Sequence, residues 1–159
     1  MGVSRQKTID WRWAAFGDLS GRDVYELMAL RQRVFVVEQN CVYQDADGRD
    51  PAAWHLLGWT MGERGKSLSA YARVFEAGVR YAEMSIGRIV TAPEARGTGL
   101  GRATVDEAMR RCAELWPAQP IRIAAQRRLE RFYQDFGFVP AGEPYMEDGI
   151  EHIDMLKRA

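Results

Sequence analysis

Ile89-Val90-Thr91-Ala92-Pro93-Glu94-Ala95-Arg96-Gly97-Thr98-Gly99-Leu100-Gly101-Arg102 reads as a strand end, a proline stop, three alternating glycines and the start of a helix. Glycines let a backbone approach a ligand closely and take dihedrals that side chains forbid. The first turn of the helix that follows offers unpaired N–H groups and the positive end of its dipole, which together suit a pyrophosphate. A Walker loop would end Gly-Lys-Ser/Thr, whereas this one ends Gly101-Arg102-Ala103. A dinucleotide motif needs its third glycine where Arg102 stands, at the opening of a parallel βαβ unit. Neither fits. A tight turn without a ligand is the plain alternative, although three glycines in five residues make a costly helix entry.

The pattern extends outward from this loop on both sides. Upstream, Met84 to Thr91 is rich in strand formers, and His55 to Met61 and Leu68 to Phe75 form a hairpin about Gly62-Glu63-Arg64-Gly65. Before them, Ile9 to Phe16 alternates as a strand. Ser20 and Asp23 then stand at capping-box spacing ahead of a helix to about Val36. The acidic stretch Gln44 to Pro51 is a loop. Downstream, Val105, Ala108, Met109, Cys112 and Trp116 mark one face of a helix from Leu100 to Trp116. A strand over Ile121 to Ala125, a helix from about Arg128 to Phe136, and a final hairpin about Asp148-Gly149 complete the order. These elements specify a mixed α/β (α+β) fold, a mostly antiparallel twisted sheet flanked by helices, in one domain over 1–159.

Composition bounds the function classes. The 22 basic and 22 acidic residues cancel, so no whole-chain field attracts nucleic acid or an acidic membrane. Only Lys7, Lys66 and Lys157 are lysines; the arginine bias suits phosphate forks but runs along the whole chain. Cys41 and Cys112 are in no metal-binding spacing, and no metal is expected. No charged segment followed by an apolar run opens the chain, and no stretch approaches the ~18 apolar residues of a membrane span. Cytoplasmic location, with reduced thiols, is the expectation.

Two motifs carry a family resemblance. Arg96-x-x-Gly99-x-Gly101 resembles the R/Q-x-x-G-x-G/A signature of the GNAT superfamily of N-acetyltransferases, and Tyr133-x-x-x-Gly137-Phe138 is similar to its second signature. The element order is similar over nearly the whole chain. Arg33 to Gln39, Tyr43-Gln44-Asp45-x-Asp47-Gly48-x-Asp50, His55 to Trp59 and Glu147-Asp148-Gly149-Ile150-x-His152-Ile153 look like the ElaA-type branch.

The resemblance implies an acetyl-CoA-dependent N-acetyltransferase acting through a ternary complex. It implies that Ile89, Val90 and Thr91 pair with the pantetheine arm, with an oxyanion held near Val90. Arg96, Gly97, Thr98, Gly99, Leu100, Gly101 and Arg102 would hold the pyrophosphate, and Arg127, Arg128 or Arg131 the 3′-phosphate. Tyr133 would protonate the leaving thiolate; a phenol keeps its proton at neutral pH. Gln126 and Leu129 depart from the asparagine and alanine common in the family, which bears on the pantetheine contacts. Glu83, Glu38 and His152 are the candidate bases, with Ser85 aligned most directly yet unable to serve. The Asp45, Asp47 and Asp50 loop either attracts a cationic amine or caps itself, and Arg88 requires a carboxylate from protein or substrate. The expected acceptor is a small-molecule or protein amine, and exposed strands leave room for a homodimer. Two rival readings are a non-catalytic acyl-CoA sensor and an acyltransferase of the acyl-homoserine-lactone-synthase kind, the latter favoured by Arg31-x-x-Val34-Phe35 and the acidic loop but not by the glycines.

Overall fold

The computed structural model describes residues 8–159. Strand β1 (Ile9–Ala15) leads into helix α1 (Gly21–Arg31). The Ser20 hydroxyl accepts the Asp23 N–H at 3.1 Å and the Asp23 carboxylate accepts the Ser20 N–H at 2.9 Å, the reciprocal cap that the spacing predicts. The helix does not stop at Arg31. It widens into a π-helical segment over Gln32–Glu38, where Gln39 N–H reaches Val34 O and Cys41 N–H reaches Val36 O. The helical period predicts the helix but not this underwinding.

Strands β2 (Trp54–Gly62) and β3 (Gly65–Phe75) form the expected hairpin, closed by the Gly62–Gly65 pair, and β4 (Met84–Thr91) continues the sheet. Helix α2 spans Leu100–Leu115, and β5 spans Ile121–Gln126. The next helix is shorter than its pattern predicts: Arg127–Leu129 is a single 3-10 turn, and α3 covers only Glu130–Gln134. Strand β6 (Val139–Pro140), two residues long, has no sequence signal. Strands β7 (Tyr145–Glu147) and β8 (Ile150–Lys157) close the chain, with Asp148 and Gly149 at φ 50° and 77° as a two-residue hairpin turn demands.

The sheet order is β1-β2-β3-β4-β5-β8-β6, with β7 also on β8, and every pairing is antiparallel except β4 with β5. Alternation along β2 and β3 buries both sheet faces. Leu56, Ala72 and Val74 pack toward α2 through Val105, Ala108 and Cys112, together with Tyr133 and Phe138. Leu57, Trp59 and Tyr71 pack toward α1 through Leu27, Leu30 and Val34. Among the described residues no helix is long and apolar enough to cross a membrane.

Two irregularities position the site. Strands β4 and β5 pair only at Met84 with Ile121 and Ser85 with Arg122, then part. Strand β4 also carries a bulge: Tyr71 opposes Val90 and Arg73 opposes Gly87, so Ala72 faces both Ile89 and Arg88. Arg88 takes φ 49°, a left-handed conformation that is costly for a side-chain-bearing residue.

Candidate active site

Where β4 and β5 part, a cleft of about 720 Å³ opens. Residues Gly87 to Thr91 form one wall, Ile123 to Gln126 the other, and the π-helical segment roofs it through Val34, Phe35 and Glu38. Two mid-sheet strand edges thus face a cavity instead of each other, so their backbone groups lack ladder partners. Ala92 N–H reaches Ser69 O at 2.8 Å across β3. By the alternation of an antiparallel ladder, Val90 also turns its backbone groups toward β3, while Thr91 and Ile89 turn theirs into the cleft. The sequence reading grouped all three; the ladder separates Val90 from the other two.

The glycine loop lies at one end of this cleft, contributing Arg96 and Gly101 to its lining. Gly97 and Gly99 have φ 73° and 83°, and a Cβ at either would meet open space. Gly99 caps α2 in the left-handed conformation with no side chain on the helix N–H groups, so the first turn keeps its donors. The loop's side chains are engaged elsewhere. Arg96 Nη1 pairs with Glu38 Oε1 at 2.7 Å, Thr98 Oγ1 donates to Ala95 O at 2.6 Å, and Arg102 Nη1 pairs with Asp135 Oδ2 at 3.1 Å. The anion-binding capacity here is therefore in the backbone. Gln126 Nε2 donates to Gln39 Oε1 at 3.2 Å, and Arg128 Nε donates to Gln126 Oε1 at 3.1 Å, so that amide is held from both sides. Arg127 pairs with Glu130.

Tyr133 is buried, lines the cleft, and sits edge-on to Phe132 with ring centroids 5.1 Å apart. Burial pushes its phenol up to about 12, against a small opposing pull from Arg128. It therefore keeps its proton at any physiological pH.

The three candidate bases separate clearly. Glu83, just ahead of β4, is held by Arg122 through two hydrogen bonds of 3.0 and 3.1 Å, which hold its carboxyl below the ordinary range, and it does not line the cleft. Glu38 lines the cleft but is committed to Arg96. His152 lines it too, with Nδ1 2.8 Å from Ile150 O. A carbonyl only accepts, so Nδ1 carries a hydrogen, and in the neutral ring Nε2 is the nitrogen with the lone pair. Nε2 lies 3.8 Å from Glu147 Oε2, and the ring stacks on Tyr145.

The acidic loop is not an open cation trap. Arg31 Nε and Nη1 meet Asp45 and Asp50 at 2.7 and 2.6 Å; Arg73 meets Asp47 at 2.8 Å and Asp50 at 3.0 Å; Arg88 Nε lies 2.7 Å from Asp45. Three aspartates and three arginines cancel. Arg88's carboxylate comes from the protein, as one of its two expected sources. Beneath this cluster, buried His55 places Nε2 2.9 Å from Asp50 O and Nδ1 2.7 Å from the Tyr71 hydroxyl. Two further lining residues, Arg49 and Arg80, carried no sequence signal: one is a silent position inside the acidic motif, the other lies in the β3–β4 connection.

Comparison with known proteins agrees with this architecture. A family model described as an acetyltransferase (GNAT) domain matches residues 63–159. The chain is 45% identical over 150 residues to a UPF0039 protein of Synechocystis sp., covering 94% of this chain and 96% of that one. It is 40% identical to Escherichia coli Protein ElaA over 151 residues, with the same coverages, and the crystal structure of that protein superposes at TM-score 0.86. The crystal structure of an acyl-CoA N-acyltransferase from Pseudomonas aeruginosa superposes at TM-score 0.88 with 37% identity, covering 94% of this chain and 99% of that one.

Proposed function

The chain belongs to the GNAT acetyltransferase family, and on that premise we propose that it moves an acetyl group from acetyl-CoA to the primary amine of an acceptor, with both substrates bound together. Acyl transfer is the chemistry of the family. The observation that carries the finer reading is the parting of β4 and β5 beside the uncapped α2 N-terminus, with Tyr133 inside the opening.

The fit to acetyl-CoA rests on three features of this chain. The cleft-facing backbone of Ile89 and Thr91 suits the amides of a pantetheine arm, as an extra strand would. The donors at Gly99 to Arg102 suit a pyrophosphate. Arg128, close to the cleft mouth, suits a further phosphate. Acetyl-CoA supplies an activated acyl carbon and a thiol leaving group.

The chain's residues then divide the proton work. His152 Nε2 takes the proton of the attacking amine as the new C–N bond forms, and Glu147 stabilises the imidazolium. Backbone N–H groups at the β4 bulge face the carbonyl oxygen as charge develops. Tyr133 gives its proton to the sulfur as the C–S bond breaks, leaving an amide and a free thiol. Neither cysteine is needed: Cys112 is buried on the core face of α2, and burial pushes its thiol up to about 12. Cys41 Sγ donates to Asp148 O. Two unpaired buried thiols suit the reducing cytoplasm.

Thermal unfolding with acetyl-CoA, CoA and NADH tests the ligand. The two coenzyme A species are expected to stabilise the protein increasingly with concentration, and NADH is not. Thiol release over a panel of amines tests the reaction. Stabilisation without release from any amine would instead favour a non-catalytic acyl-CoA sensor, and absence of stabilisation would remove the reading of the glycine loop.

A further inference from the structure

The far end of the cleft, away from the glycine loop, holds an imbalance of charge. The aspartates and arginines of the acidic cluster cancel pairwise, so they contribute no net field there. Arg80 Nη1 lies 4.0 Å from where a Gly87 Cβ would stand, and Arg49 follows the Asp47 loop that Arg73, opposite Gly87, binds; both line the cleft, and among the described residues neither has an ion-pair partner or a side-chain hydrogen bond, Arg80 lying only over the Tyr81 ring at 5.2 Å. They are a surplus of two guanidinium groups in the lining. The β7–β8 turn, which Cys41 Sγ meets at Asp148 O, lines the cleft with the acidic Glu147 and Asp148 and with His152.

A polyamine or a lysine-rich peptide would bring cations against these arginines, at a repulsive cost. A molecule with an amine at one end and an anion at the other would match both groups. Guanidinium groups bind carboxylate and phosphate alike through paired N–H donors. Resting on the acyl-transfer reading of this cleft, we propose that the acceptor is a small amine that also bears an anionic group, carboxylate or phosphate, which Arg49 and Arg80 hold while the amine meets His152.

The test uses probes matched in size. γ-Aminobutyrate, butylamine and putrescine differ only in the terminal group, while β-alanine against aminoethyl phosphate separates the two anions. Binding is read as thermal stabilisation in the presence of CoA, and turnover as thiol release from acetyl-CoA. The wild-type protein is expected to prefer an anionic amine to butylamine and to putrescine in both measurements. In an Arg49→Gln/Arg80→Gln variant that preference is expected to fall by about tenfold or more, as loss of charge-assisted hydrogen bonds implies. Both side chains are unpaired, so the variant should melt with the wild type. Preference for putrescine or butylamine, or a preference for anionic amines that survives the double substitution, would overturn the proposal while leaving acetyl transfer intact. Selective binding of anionic amines without thiol release would sustain the proposed anion site and overturn the acetyltransferase reading.

Discussion

Arg88 Nε lies 2.7 Å from Asp45 Oδ1, so a loop remote in sequence grips the one residue that bends β4 into its left-handed bulge. The same aspartate presents its other oxygen to Arg31 at 2.7 Å and is almost wholly buried. One carboxylate thereby joins α1, the acidic loop and the wall of the cleft. Asp45→Asn would leave two arginines short of a charge partner, and such a loss inside a protein costs about 3–5 kcal/mol. Glu94→Gln removes the partner of Arg33 on the surface and is expected to cost under ~1 kcal/mol. Urea unfolding of both variants checks the contrast; equal losses would mean that the cluster is not what holds the bulge region.

Tyr133→Phe keeps the buried ring and removes only the hydroxyl that carries the proton. Acetyl-CoA binding is expected to persist while kcat falls by about 10²–10⁴-fold, the usual worth of a positioned acid. Because burial pushes the phenol up to about 12, the wild-type acid stays protonated through mildly alkaline pH, so Tyr133 itself should give no loss of rate there. Steady-state kinetics with a pH series decide it. Unchanged kcat in the phenylalanine variant would leave Tyr133 as a packing residue.

Gly99 and Gly101 should respond differently when replaced by alanine. At Gly99, φ of 83° strains any side chain, by about 1–2 kcal/mol. At Gly101 a Cβ would meet Thr91 Oγ1 at an ordinary 3.6 Å, and alanine improves helix propensity by up to ~1 kcal/mol. Gly101→Ala is therefore expected to melt at or above the wild type and to keep its affinity for acetyl-CoA, since the signature it resembles admits alanine there, whereas Gly99→Ala should lose both stability and affinity. Melting without ligand and a titration of each variant separate the two effects. Undiminished affinity in Gly99→Ala would argue against the loop as a phosphate cradle.

Acid should undo the buried cluster in two stages. Burial lowers the His55 pKa below the ordinary imidazole range, and its two ring nitrogens are already committed, one donating to Asp50 O and the other accepting from Tyr71. A depressed folded-state value means that its contribution is complete above the unfolded imidazole value and is lost as pH falls through the folded one. Asp47 and Asp50 behave alike at lower pH. Burial alone would raise them, but the hydrogen bonds from Arg73 and Arg31 respectively prevail and hold both below the ordinary carboxylate range. Melting temperature against pH is expected to fall first below the imidazole range and again below the carboxylate range. In Asp50→Asn the second fall should shrink.

What the sequence made legible was local. The Ser20–Asp23 cap, the Asp148-Gly149 turn and the span of β4 each depend on neighbours in the chain, and each stands where its pattern predicts. The mixed sheet followed from their order, and the GNAT resemblance from the Arg96–Gly101 and Tyr133–Phe138 motifs. What was hidden depends on distant partners. Nothing in Gln32 to Glu38 announces a π-helix, because the widened turn reports how α1 meets the cleft. Arg49 and Arg80 are silent because an unpaired arginine is defined by the absence of neighbours that only folding could bring. The three candidate bases looked equivalent until Arg122 claimed Glu83 and Arg96 claimed Glu38.

The parting of β4 and β5 has a consequence for the protein's survival. The chain encodes a sheet with a seam, two panels joined at only two residue pairs, and under the proposed function a small molecule would be its closing member. A ligand seated there as a strand would stabilise the folded state by mass action, so its supply would set how often the panels open to proteolysis. The abundance of the protein would then rise and fall with the pool of its own substrate, a feedback that needs no regulator beyond the seam.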